Sequence, residues 1–258
     1  MVNILIIKNF LNKIKFSKYS FIIILLCFIT GLIKELSIIL ILIIFHEFGH
    51  YLMSVIFKWN INKIIIYPFG GLIKYEEEVD KPLLEELLIT ISGPLNQWII
   101  FIFFFILYKN YYISSYYYNN LYNYHISMFI FNIIPIIPLD GSKLINIVLN
   151  KLFNYRLSYN ILLVISLIFL LGFVLTFRNN YSYLIVISFL IYELINYVKN
   201  KNIMFNRFIF EKYLYKNKYK KYIKIRNIKS MKRNKEHLIK NNGTYITEKE
   251  YIKKIKGV

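Results

Sequence analysis

Long apolar runs separated by short polar segments dominate the first 199 residues of this 258-residue chain. A membrane-spanning helix needs about 20 consecutive apolar residues. The segments that meet this requirement are 16–33, 36–57, 84–107, 121–149, 158–177 and 182–198. The pattern predicts an all-α polytopic membrane protein with about six transmembrane helices. Since no small-residue cleavage site follows the first run, we expect that run to be a retained signal anchor.

The helical pattern is interrupted between the second and third predicted spans. Short β-branched and aromatic runs at 61–67 and 72–75 flank Pro68-Phe69-Gly70-Gly71, which is typical of a β-hairpin. Strand backbone groups are not tolerated in lipid, so this membrane-associated hairpin must lie against protein, line a cavity or form an interfacial loop. The acidic residues that follow are expected to be its solvated end: Glu76, Glu77, Glu78 and Asp80.

Composition and charge divide the chain near residue 199. Hydrophobic residues make up 57% of the chain and charged residues 18%, which argues against a water-soluble domain and excludes disorder for most of it. The net charge is +19, concentrated in residues 200–258. Basic residues of the first part cluster in alternate connecting segments, so the positive-inside rule places both termini in the cytoplasm. We predict a transmembrane domain, 1–199, and a small basic cytoplasmic tail, 200–258.

The segment His46-Glu47-Phe48-Gly49-His50 carries the strongest chemical signal. Residues four apart share one helix face, so both imidazoles can reach one zinc ion while Glu47 lies beside a metal-bound water. Two structural histidines with a buried glutamate are the alternative. Ionisable groups at membrane depth are costly and are functional by default, which favours the metal site. A disulfide or a cysteine-based zinc site within one chain is excluded, because Cys27 is the only cysteine.

A catalytic zinc ion usually has three protein ligands, so two histidines leave one to be found. The candidates are His125, Asp140, Glu193, Glu35 and the acidic residues near Glu77. The depth of a residue in the membrane follows from the number of helical residues between it and the basic residue that ends its span. By this count, His50 and Asp140 both lie roughly 12–17 Å from the cytoplasmic surface. Asp140 is therefore favoured and Glu193 is the reserve, although Lys143 would have to snorkel or face a wet cavity.

Pro135 and Pro138 precede Asp140 in the same apolar segment, and Gly141 follows it. Two prolines and a glycine are expected to break the helix. Broken helices at membrane depth occur where they line a water-filled or protein-lined cavity. Such a cavity supplies the water that hydrolysis needs and free backbone groups that can bind an extended substrate.

Four motifs in this order resemble the site-2 protease family of intramembrane zinc metalloproteases: residues 46–50, 69–71, 92–96 and 132–141. The resemblance implies one zinc ion per chain, with His46, His50 and Asp140 as its ligands and Glu47 as the catalytic base. It also implies a set of residues that bind substrate or shape the site. These are Asn132, Pro135, Pro138, Gly70, Gly71 and Asn96.

The spread-out last motif, which ends Pro138-Leu139-Asp140-Gly141, resembles the sporulation branch of that family. This implies a membrane-associated sporulation sigma factor precursor as substrate, inhibitory membrane proteins as partners, and a mother-cell or forespore-surrounding membrane. Members of the branch carry a C-terminal nucleotide-sensing CBS domain. Only 59 residues follow Lys199, at most a truncated CBS-like segment, which argues against ATP sensing.

Other interpretations of the tail and of the activity stay open. The tail can equally be a basic segment on anionic lipid, stabilised by up to about 1 kcal/mol per nearby Lys or Arg. Nucleic acid is a weaker third partner because charge alone is not specific. The predicted function is intramembrane zinc endopeptidase, with the hairpin holding an unwound substrate as an added strand. The alternatives are another membrane zincin, of the prenyl-protein or housekeeping type with a glutamate ligand, and a non-catalytic zinc-binding scaffold.

Overall fold

The structure is a computed structural model that describes residues 2–67, 70–76, 80–177, 183–214, 222–241 and 244–256. The chain separates into two compact units. The first unit comprises Met1–Glu76 and Leu88–Ile133, and the second comprises Glu77–Leu87 and Ile134–Val258. Helices account for most of the described residues, and each unit contains a small three-stranded sheet.

The first unit is built from helices around a short sheet. Its elements are α1 Val2–Lys13, β1 Ile14–Phe16, α2 Lys18–Thr30, α3 Ile33–Ile56, β2 Ile61–Tyr67, β3 Gly70–Tyr75, α4 Leu83–Lys109 and α5 Ser115–Ile133. The first turn of α4 belongs to the second unit. The Ser17 hydroxyl accepts a hydrogen bond from the Ser20 backbone N–H at the start of α2, and Gly31 ends the helix at a φ of 76°. The Ser20 hydroxyl donates to the Ile66 carbonyl, which ties α2 to the sheet.

The predicted hairpin is present, and the structure adds a third strand to it. Strands β2 and β3 pair antiparallel, β1 pairs parallel with β2, and β3 lies at the edge of the sheet. One face of the sheet packs on α1 and α3 through a buried cluster. Its members are Phe10, Ile43, Tyr51, Ile61, Ile64, Ile66 and Ile73. The hairpin therefore lies against protein, as the exclusion of strands from lipid requires.

Three described helices are long and apolar enough to cross a membrane: α3, α4 and α7. They match the predicted spans at 36–57, 84–107 and 158–177. Helix α2 is apolar but only 13 residues long, which is too short for the span expected at 16–33. The segment expected at 121–149 is not one helix, because α5 ends at Ile133 and α6 begins at Asp140. The count of six spans stays a prediction.

The second unit contains the remaining helices and the other sheet. Its elements are α6 Asp140–Leu152, α7 Tyr155–Phe177, α8 Leu184–Leu214, β4 Tyr222–Ile225, β5 Glu236–Asn241, β6 Thr244–Thr247 and α9 Glu248–Lys256. Helix α8 continues through residue 199, where the composition changes. A buried apolar cluster joins α7, α8 and the residues after them: Tyr155, Phe205, Phe208, Ile209, Met231 and Ile252. Much of the basic tail is therefore folded.

Asp80 corrects the expectation of a solvated acidic end to the hairpin, while Glu77 and Glu78 lie outside the described residues. Asp80 is 4% exposed, and its carboxylate lies 3.4 Å from the Nζ of Lys212, itself buried at the end of α8. The backbone N–H of Asn234 also donates to Asp80. Beside this pair, Arg233 binds the Glu86 carboxylate at 2.8 Å. Sequence patterns miss such pairs because the partner cations lie more than a hundred residues away.

Replacing Lys212 with methionine is expected to destabilise the second unit by about 3–5 kcal/mol, because it removes the ammonium group from a buried carboxylate. Thermal unfolding in detergent measures the effect. The matched control is Lys224→Met, which removes the same charge from an exposed position. Equal unfolding temperatures for the two variants would show that the buried pair does not stabilise the unit.

Candidate metal centre

Three buried ionisable side chains lie together in the second half of α3. His46, Glu47 and His50 are 2%, 3% and 4% exposed. Each offers one ligand atom, and these atoms lie within 4.8 Å of one another. The grouping follows from local structure: a continuous apolar run forms the helix, and its period brings residues 46 and 50 onto one face.

The hydrogen bonds of the two imidazoles define which nitrogens face each other. The Nδ1 of His46 lies 3.1 Å from the Gln97 Oε1, and the Nδ1 of His50 lies 2.7 Å from the Ile89 carbonyl oxygen. Both oxygens only accept hydrogen bonds, so both Nδ1 atoms carry the proton, and in neutral imidazoles both Nε2 atoms then keep a lone pair.

The two Nε2 atoms lie 3.1 Å apart. Two lone pairs cannot hydrogen-bond to each other, whereas a shared cation stabilises both. Two nitrogens on a tetrahedral zinc ion are separated by about 3.3 Å, close to this distance. The donor set therefore fits zinc, which prefers neutral imidazole nitrogens whose other nitrogen donates to a carbonyl group.

Two glycines let the neighbouring backbone approach these side chains. A Cβ atom added at Gly71 of β3 would lie 2.3–2.6 Å from the Glu47 side chain. One added at Gly93 of α4 would lie 2.2–2.7 Å from the His50 ring. A Cβ atom at either place would have to displace the side chain that it meets. Gly70, also predicted to shape the site, has nothing within 4 Å of an added Cβ.

The predicted residues of the broken segment lie where the sequence suggested a break. Pro135 and Pro138 lie between α5 and α6, and the Ser166 hydroxyl donates to the Pro135 carbonyl. Asp140 is the first residue of α6 and is 5% exposed. Its Oδ1 accepts a hydrogen bond from Lys143 at 2.7 Å, which provides the lysine with a partner.

Asn132 and Asn96 have different surroundings. Asn132 is buried in the last turn of α5, and its Nδ2 has no hydrogen-bond partner among the described residues. The Asn96 side-chain amide donates to the carbonyl of Phe45, directly before the first histidine. Both asparagines belong to the first unit together with the histidines.

The other candidate ligands have environments of their own. His125 is fully buried and faces Gln97. Glu35 lies in the first turn of α3 and accepts a hydrogen bond from the Tyr116 hydroxyl at 2.8 Å. That turn is about 16 Å along the helix axis from His46. Glu193 is partly buried in α8, and Glu77 lies outside the described residues.

Gln97 is a residue of the site that the sequence analysis missed. It is fully buried in α4 and contacts the first histidine directly. The available signal was a polar amide within an apolar span, next to the predicted Asn96. Its partner lies 51 residues away, so no local pattern indicates the contact.

Comparison with known proteins identifies the family. The model of peptidase family M50 matches residues 35–116, which contain the histidine motif and all of α4. Stage IV sporulation protein FB of Bacillus subtilis is 32% identical over 213 residues, which cover 80% of this chain and 73% of that protein. The chain belongs to peptidase family M50, the site-2 protease family.

Two further relatives come from Methanocaldococcus jannaschii. Zinc metalloprotease MJ0392 is 31% identical over 122 residues, or 46% of this chain and 35% of that protein. The solved structure titled site-2 protease has a TM-score of 0.58 at 21% identity, covering 71% of this chain and 89% of that one. The structural match shows a shared fold. Together with its apolar helices, the family makes this M50 chain an integral membrane protein.

Gly71→Ala is expected to lower peptidase activity by about 100-fold, because a Cβ at this position displaces the Glu47 carboxylate and small misplacements at a reacting centre are costly. Bound zinc should be unchanged, since the three atoms nearest to that Cβ all belong to Glu47. Cleavage of a co-expressed membrane-associated precursor and metal content are measured together. Gly70→Ala is the matched control, and equal activity in the two variants would contradict the proposed contact.

Proposed function

We propose that this M50 peptidase is an intramembrane zinc endopeptidase that cleaves a membrane-associated precursor, and that the precursor is a sporulation sigma factor proprotein. The observation that carries the proposal is the pair of opposed imidazole nitrogens beside Glu47 on one buried helix. Family membership supports the reaction class, and the similarity to a stage IV sporulation protein supports the substrate.

We assign His46 and His50 as two zinc ligands and Asp140 as the third, with one zinc ion per chain. The described cluster supplies two histidines and a glutamate, and a catalytic zinc needs a third ligand besides the base. The burial of Asp140 after a broken helix supports this choice, as does the family motif that ends at Gly141. A carboxylate at this position is a ligand type that zinc accepts.

Glu47 is proposed as the general base. Zinc, when bound, polarises the scissile carbonyl and lowers the pKa of water. The Glu47 carboxylate takes a proton from the attacking water and delivers it to the leaving amine nitrogen. Its burial at 3% exposure keeps bulk water away from this proton transfer. The backbone of Gly71 lies close to this carboxylate, since a Cβ added there would meet it.

The edge strand β3 is proposed to bind the substrate. A helical substrate hides its amides, so it must unwind before a peptide bond can be attacked. Strand β2 is paired on both sides, whereas among the described residues no strand pairs with the outer edge of β3, which an extended substrate could join. Gly71 places that strand directly against Glu47. Substrate backbone bound there would therefore lie near the proposed base.

The roles of the termini and the tail are proposals as well. The distribution of basic residues supports cytoplasmic termini, with 1–199 as the protease domain and 200–258 as the tail. The folded sheet and the buried cluster around Met231 support a docking module for a substrate with a cytoplasmic domain. Anionic lipid remains the alternative partner of its exposed lysines, and inhibitory membrane proteins are the proposed regulators.

Glu47→Gln is expected to abolish cleavage while zinc stays bound, because the amide keeps the shape of the side chain and cannot accept the proton. A loss of about 100-fold or more is the normal cost of removing a general base. Cleavage and metal content are measured on the same preparation. Retained cleavage would exclude Glu47 as the base, whereas a scaffold with structural zinc would show no cleavage in the wild-type chain.

Asp140→Asn is expected to weaken zinc binding and activity by orders of magnitude, because it removes the charge of a ligand from the metal. Glu193→Gln is the control and should leave both nearly unchanged. Zinc affinity by chelator competition and cleavage of the precursor provide the two measurements. The opposite ranking would assign this chain the glutamate-ligated site of the other membrane zincins.

A further inference from the structure

A hydrogen-bonded chain of three side chains extends from the proposed metal ligand His46 into the interior of the first unit. The Nδ1 of His46 donates to the Gln97 Oε1 at 3.1 Å. The Gln97 Nε2 lies 3.2 Å from the Nδ1 of His125 and donates to the His125 carbonyl oxygen at 3.0 Å. All three side chains are buried, and Gln97 and His125 are 0% exposed.

The contact with the His125 carbonyl determines how the Gln97 amide is oriented. A carbonyl oxygen only accepts hydrogen bonds, so the amide nitrogen must face it and the amide oxygen must face His46. The second hydrogen of the same nitrogen points to the His125 Nδ1. Both amide hydrogens and the amide oxygen of Gln97 therefore have partners, and a flip of the amide would place its oxygen against the His125 carbonyl oxygen.

The His125 ring is held in place by aromatic packing. It stacks on Phe101 with ring centroids 4.4 Å apart and planes 7° apart, and it meets Trp98 edge-on at 4.7 Å. Its Nε2 is buried without a hydrogen-bond partner among the described residues. The ring therefore contributes to the site through its Nδ1, as an acceptor for Gln97.

We propose that Gln97, held by His125, is a positioning residue that fixes the tautomer and the ring orientation of His46 for metal binding. The inference rests on the proposed zinc peptidase function. The two histidines differ in this respect: a backbone carbonyl orients His50, whereas a side chain orients His46. A substitution at Gln97 can therefore change the metal affinity through His46 while both histidine ligands stay in place.

The test measures zinc affinity by chelator competition and the visible absorption of the Co²⁺-substituted protein. Gln97→Met removes the acceptor with little change in length and is expected to weaken zinc binding by about 10- to 100-fold. The cobalt spectrum should change with it. Gln97→Glu keeps an acceptor oxygen for His46 but loses the amide hydrogens that bind His125, so it should restore both properties only in part. Asn150→Leu, which removes a buried amide from α6, is the matched control and should leave both unchanged.

His125→Phe tests whether His125 acts through Gln97, because it keeps the aromatic stack and removes the Nδ1 acceptor. Because the His125 carbonyl still holds the Gln97 amide, it is expected to weaken zinc binding less than Gln97→Met does and to have no further effect on Gln97→Met. It also carries the test if Gln97→Met does not fold. Additive losses in the double variant would overturn the proposed chain.

The outcomes separate this inference from the function on which it rests. A wild-type chain that binds no zinc would overturn both. Wild-type zinc binding with unchanged affinity and cobalt spectrum in Gln97→Met would overturn only the positioning role. A lower unfolding temperature for Gln97→Met, with unchanged zinc affinity and cobalt spectrum, would also overturn the positioning role. It would show that the Gln97 amide only stabilises the fold.

Discussion

Burial of two imidazoles and a carboxylate on one apolar helix is the constraint on which the first unit depends. Buried polar groups cost free energy unless they have partners. The structure meets this requirement on the Nδ1 side with Gln97 and the Ile89 carbonyl. On the other side the two Nε2 atoms lie 3.1 Å apart, close to the separation of two nitrogens on one zinc ion. The helix packing therefore stabilises an arrangement that a bound cation completes.

Close approach of the backbone is the second requirement, and glycine meets it. Gly71 brings the edge of the sheet against Glu47, and Gly93 brings α4 against the His50 ring. A methyl group at either position would occupy the space of a side chain in the site. The buried face of the sheet packs on α3, the helix that carries Glu47. This packing determines where β3 lies relative to the proposed base.

Local patterns predicted the histidine pair, the hairpin and the helix break before Asp140, because helical period, β-branched runs and proline act over a few residues. The M50 family resemblance came from the same short motifs. Partners distant in the chain were missed: Gln97 lies 51 residues from His46, and Lys212 lies still further from Asp80. Hydropathy identifies membrane spans least well among helices that carry several polar residues. It does not show whether protein or lipid covers the apolar side chains of such a helix.

The buried ions of the second unit bear on what the basic tail can do. Attraction to anionic lipid acts on charges near the membrane surface and is screened over about 10 Å. Lys212 and Arg233 are each about 3% exposed in their side chains and bind carboxylates within the fold. Their charges stabilise the folded unit and are not available to a lipid surface. The net charge of residues 200–258 therefore overstates the attraction to lipid, and the exposed lysines determine how much of it remains.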